Sequence, residues 1–186
     1  MRRPHVRCRV LFAAFLLAAF ALLGGCTSTK VKPSLETRPQ ESFQNVAIGE
    51  FTSTDELWGG RVPFLRRGVV EKLRQENAFQ NVFDPAPSEI PPHTLVVSGQ
   101  LTSVDKGSAA ARMIVGFGAG SAKATATFQV KDAEGTELVA FAMKKSYAGG
   151  AGIGGGDLVD LDDLLQKLGE KAAESVIAWS RGKGID

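Results

Sequence analysis

The stretch SAKATATFQVKDAEGTELVAFAMKKSY, Ser121 to Tyr147, decides the fold. Its first half alternates Ala122, Ala124, Ala126, Phe128 and Val130 with Lys123, Thr125, Thr127 and Gln129. A period of two sends the first set to one face of a β-strand and the second set to the other. Asp132-Ala133-Glu134-Gly135 supplies hairpin-turn residues. The chain then returns with Val139, Phe141 and Met143 on one side and Leu138, Ala140, Ala142 and Lys144 on the other. An antiparallel hairpin with one apolar face needs a second layer to cover that face.

That layer is legible in two segments further out. Downstream, Leu161, Leu165, Leu168, Ala172, Val176 and Trp179 recur at helical spacing. Asp157 or Asp160 caps this helix, Asp162 and Asp163 suit its positive end, and Gly182 and Gly184 end it. Upstream, Val62, Leu65, Val69 and Leu73 make a similar stripe on a helix that Pro63 opens. Arg66, Arg67, Glu71, Lys72 and Arg74 fill its other face and read as solvated. Gly68 costs this helix about 1 kcal/mol, and the sequence reading assigns it to a close crossing of the sheet. Strands are expected in NVAIGEFT (Asn45–Thr52) and TLVVSGQLTSVD (Thr94–Asp105), with a short one at Phe79–Phe83. The expected fold is α+β: a mostly antiparallel sheet of 4–5 strands, two helices on one face, order β-α-β-β-β-α.

Two glycine-rich segments flank the hairpin. RMIVGFGAGSAK runs from Arg112 to Lys123, and AGGAGIGGG from Ala148 to Gly156. A phosphate cradle needs strand, glycine turn and helix in that order. Here an alternating strand follows Gly120, and Lys123-Ala124 lacks the Ser or Thr of a P-loop. Two readings stay open. The glycines are packing or bulge devices, or Met113, Ile114, Val115, Gly116, Phe117, Gly118 and Gly120 form an apolar interaction surface.

The N-terminus fixes location. Arg2, Arg3, Arg7 and Arg9 precede an apolar run of 14 residues, Val10 to Leu23. That is short of the roughly 20 a spanning helix needs, and the order suits a secretory signal. Leu23-Gly24-Gly25-Cys26 resembles the lipobox of bacterial lipoproteins. The resemblance implies cleavage between Gly25 and Cys26 and acylation of Cys26, an anchor of several acyl chains. Thr27 stands where an aspartate commonly retains such proteins in the inner membrane, which favours the outer membrane, facing the periplasm. The expected division is 1–25 signal, 26–43 lipidated polar tether, 44–182 one periplasmic domain. Fully extended, the tether reaches about 50 Å.

Removing the signal leaves 18 basic against 20 acidic side chains, a net charge of −2. Nothing here calls for nucleic acid. Cys8 and His5 leave with the signal, so Cys26 and His93 remain. That excludes an internal disulfide, a Cys/His metal cluster and a Cys–His dyad, and no cofactor is called for. His93, beside two prolines, reads as a solvated loop residue.

Arg112-x-x-x-Gly116-x-Gly118-x-Gly120, the strand ending at Asp132 and Gly135, and the glycine-rich return to a last helix resemble the lipoprotein family catalogued as domain of unknown function 4410. The resemblance runs from about Gln44 to Trp179 and implies envelope location without an assigned activity. Three functions compete. The first is a non-enzymatic envelope module that binds a partner protein or itself. The second is a small-ligand or lipid carrier with a cavity under Ala122, Ala124, Ala126, Ala140 and Ala142. The third is a hydrolase using paired carboxylates among Asp157, Asp160, Asp162 and Asp163 or Glu50, Asp55 and Glu56.

Overall fold

A computed structural model describes residues 29–36, 39, 42–108, 121–147 and 160–185. The elements in chain order are β1 (Thr29–Glu36), β2 (Asn45–Ser53), a short 3-10 helix (Glu56–Arg61), α1 (Val62–Gln75), β3 (Asn81–Phe83), β4 (Thr94–Asp105), β5 (Ala122–Lys131), β6 (Glu137–Tyr147) and α2 (Leu161–Ser180). They build one six-stranded sheet in the order β1-β6-β5-β4-β2-β3.

The α+β class holds; the element order is β-β-α-β-β-β-β-α rather than the expected β-α-β-β-β-α, and the sheet itself departs from expectation in two ways. It has six strands and is mixed: β2 pairs parallel with both β3 and β4, and the other pairings are antiparallel. The reason is the crossover. A strand that feeds a helix and returns to the same sheet comes back parallel, and β2-α1-β3 does this. The extra strand is β1. Thr29–Glu36 reads by composition as tether, yet its backbone pairs with β6 from Thr29↔Lys145 to Glu36↔Val139, with an irregularity between Pro33 and Leu35. A proline is tolerated at such an edge, where one side of the strand needs no ladder donor.

The hairpin forms as its alternation dictates. Phe128 faces Phe141 across β5–β6 and the rings stack with centroids 5.4 Å apart. Ala122, Ala124, Ala126, Phe128 and Val130 are all buried. At the turn, Asp132 Oδ1 accepts from Thr136 N at 2.7 Å, and Gly135 takes φ +88°, a conformation glycine adopts without strain.

Both helices lie on this apolar face and cross each other closely. Every predicted stripe residue of both helices is buried. Asp160 caps α2, its Oδ1 accepting from Asp162 N at 2.9 Å and Asp163 N at 3.2 Å. Gly68 does mark a close crossing, but of helix on helix. A Cβ there would lie 1.9 Å from the Gln166 carbonyl oxygen of α2, and one at Gly169 would lie 2.1 Å from the Leu65 oxygen of α1. Two glycines thus face each other's helix and let the backbones touch, which offsets their unfavourable propensity. Among the described residues, no helix covers the other sheet face. That face presents Thr125, Thr127, Gln129, Ala142 and Lys144.

Candidate functional site

A groove of about 590 Å³ lies beside α1. Phe51 of β2, with Val62 and Val70 of α1, gives it an apolar floor. Arg66, Arg67 and Arg74 supply positive charge at its rim, with Glu71 and Asp84 opposing. The helix period places the charges. Arg66, Val70 and Arg74 are four apart, one row along the helix. Asp84, just after β3, closes the groove by pairing with Arg66 and standing 3.9 Å from Arg74. The Arg67 guanidinium also lies 5.3 Å from the centroid of the Phe64 ring. Within the groove Arg66 and Arg74 are engaged with Asp84, while Glu71 accepts from Gln166 Nε2 of α2 at 2.9 Å.

Of the carboxylates weighed as acid and base, Asp55, Asp160, Asp162 and Asp163 hold caps or ion pairs, and Glu50 and Glu56 are exposed. Asp55 caps the 3-10 helix, accepting from Leu57 N at 2.9 Å. Asp160 caps α2, Asp162 pairs with Arg61, and Asp163 pairs with Lys167 at 2.8 Å. Among the described residues, no group of three or more His, Cys, Asp or Glu is placed to hold a metal ion. His93 is exposed with φ +55°, and its carbonyl oxygen accepts from Gln44 N and Asn45 N. The alanines proposed to line a cavity divide by strand. Ala122, Ala124 and Ala126 are sealed in the core, and Ala142 lies on the open face. None lines the groove.

Three lysine environments are perturbed among the described residues. Lys167 of α2 is held above its usual range by its hydrogen bond to Asp163. Lys72 of α1 is held above its usual range by hydrogen bonds to Glu76 and to Glu174 of α2. Lys145 points inward under α2, and burial pushes its pKa down, with Lys167 and Lys171 acting in the same direction.

Met113, Ile114, Val115, Gly116, Phe117, Gly118 and Gly120 lie outside the described residues, as do Gly25, Cys26 and Asp157. What the structure adds is where their segments attach. Asp105 at the end of β4, Ala122 at the start of β5, Tyr147 at the end of β6 and Thr29 at the start of β1 occupy one end of the sheet. The groove rim was missed because Arg66 and Arg74 read as a solvated face. Their helical spacing was visible; Asp84, which organises them, gives no sequence signal.

The described residues define a two-layer α+β domain, a mixed sheet under a close-packed helix pair. The family described as Domain of unknown function (DUF4410) has a model that matches residues 61–151. The resemblance read from the sequence is thus borne out over just under half of the chain, a narrower span than Gln44–Trp179. No curated protein matches it. The fold is similar to that in the PelC dodecamer from Paraburkholderia phytofirmans, with a TM-score of 0.52 and 12% identity over 85% of this chain and 99% of that one. A single-substitution variant of that dodecamer gives 0.50 and 12%, over 85% of this chain and 98% of that one. At this identity the likeness is one of fold.

Proposed function

We propose that this chain is a lipoprotein of the bacterial envelope, acylated at Cys26 and held in the outer membrane facing the periplasm. There it acts as a non-enzymatic binding or assembly module and associates with copies of itself. The observation that carries the self-association is the fold likeness, over 85% of the chain, to a protein that forms a dodecamer. The non-enzymatic reading is supported by Asp55, Asp160, Asp162 and Asp163, which are engaged in caps and ion pairs. The anchor is supported by the basic, apolar and lipobox order of the first 26 residues.

The test is native mass spectrometry of the acylated chain extracted in mild detergent. The expected result is one defined oligomer. A monomer at micromolar concentration sinks self-association. A photo-crosslinking residue at Phe117 in cells then separates the remaining partners: capture of a second copy, or of a specific envelope protein, supports an interaction surface there. Clean absence of products, beside a working probe on the tether, assigns the glycines to packing.

One observation favours a second reading, a carrier of a small amphipathic ligand. The groove joins an apolar floor to an arginine rim, the arrangement small-ligand sites use. A bound apolar acid co-purifying with the native chain and lost in Arg66→Ala is the outcome that favours it.

A further inference from the structure

The open face of the sheet gathers four lysines on three neighbouring strands. Lys30 of β1 lies directly opposite Lys144 of β6, and Lys32 follows on the same face opposite Ala142. Lys123 of β5 pairs with Ser146, one diagonal step from Lys144. Opposed side chains have Cβ atoms about 4.5–5.5 Å apart, and like charges so placed repel. Lys30, Lys32 and Lys144 are exposed and Lys123 is half-buried. None of the four has an ion pair among the described residues. The carboxylate in register with them is Asp105, opposite Lys123, and it also accepts from Gly107 N at 2.8 Å. Repelling charges kept on a surface favour an anionic partner.

Chain length says which partner is near. Lys30 stands four residues after Cys26, and four residues reach at most about 14 Å. An acylated Cys26 therefore holds this end of β1 close to the bilayer surface. We propose that Lys30, Lys32, Lys123 and Lys144 form a membrane-facing surface that docks on anionic phospholipid headgroups and sets how the domain stands over its anchor. This rests on the lipid-anchor reading above.

The test uses the whole mature chain carrying Cys26→Ser, so that no acyl group contributes. It is sedimented with vesicles of phosphatidylglycerol and phosphatidylcholine, or of phosphatidylcholine alone. Binding is expected to the first only, falling as salt rises. A lysine near an anionic surface favours binding about fivefold, so Lys30→Gln with Lys144→Gln weakens it about 25-fold. Lys131→Gln, at the far end of β5 and opposite Glu137, leaves it unchanged. Equal binding to both vesicles, or no loss in the double variant, overturns the proposal. So does competition by inorganic phosphate at matched ionic strength, or tighter binding to an acidic polysaccharide. Palmitate labelling in cells, native chain against Cys26→Ser, separates the two readings. Labelled Cys26 without vesicle binding sinks the lysine surface alone. An unlabelled Cys26 sinks the anchor and removes the geometric basis for this orientation.

Discussion

The two faces of the sheet are made by the same strands and meet opposite fates. Along β5, Phe128 is fully buried under the helices, while its neighbours Thr127 and Gln129 stay at least partly in water. The closed face concentrates the folding energy, since buried apolar area contributes about 25 cal/mol per Å². The open face holds little of it and is free to carry charge. The comparison teaches that substitutions one residue apart differ by most of an order of magnitude in cost.

The sharpest test is Phe128→Ala. It removes a buried ring stacked on Phe141 and should cost about 3–5 kcal/mol in urea unfolding. A loss under 1 kcal/mol breaks the contrast. Next is Gly68→Ala. The new Cβ would meet the backbone of α2, so the helices must part, at a cost of about 1–3 kcal/mol. Gly60→Ala, with nothing within 4 Å of the added carbon, serves as its control and should stay within about 0.5 kcal/mol. If both glycines tolerate alanine equally, the helix crossing is looser than described.

Lys145 is the exception that sharpens the comparison, a lysine on the closed face. Its folded pKa lies below 10.5 because of burial first and Lys167 and Lys171 second, with Glu170 and Glu174 opposing. Between the folded value and 10.5 the unfolded chain binds more protons, so this group makes stability rise with pH across that window. At neutral pH its penalty is fully present. Lys145→Met should raise the melting temperature at pH 7 and abolish the alkaline gain. An unchanged pH profile removes burial as the cause. The smallest effect is expected for Thr127→Val on the open face, within about 0.5 kcal/mol.

How much of this was legible follows from what each feature depends on. The hairpin and both helix stripes rest on local periodicity, and the sequence carries them whole. Asp160 could be named as one of two candidate caps because a side-chain acceptor before a helix acts locally. Strand β1 hid because Lys30, Lys32 and Pro33 resemble linker composition, and an edge strand pairs through its backbone alone. Parallel pairing of β2 with β4 hid because register is a long-range property, whereas the hairpin advertised its antiparallel partner. Gly68 was seen as a close approach but given the wrong partner, since a missing Cβ does not say what fills its space. The groove needs Arg66 and Asp84 together, 18 residues apart and joined by an ion pair that only folding makes.

The pairing of β1 with β6 has a mechanical meaning. Any pull on the chain ahead of Thr29 enters the domain through that ladder, before it reaches the core. Drawn along the strand, the rows from Thr29–Lys145 to Pro33–Phe141 share the load and resist together. Drawn across it, they open one at a time, like a zip. The direction of tension, more than its size, then decides whether β1 stays part of the sheet or peels away from it.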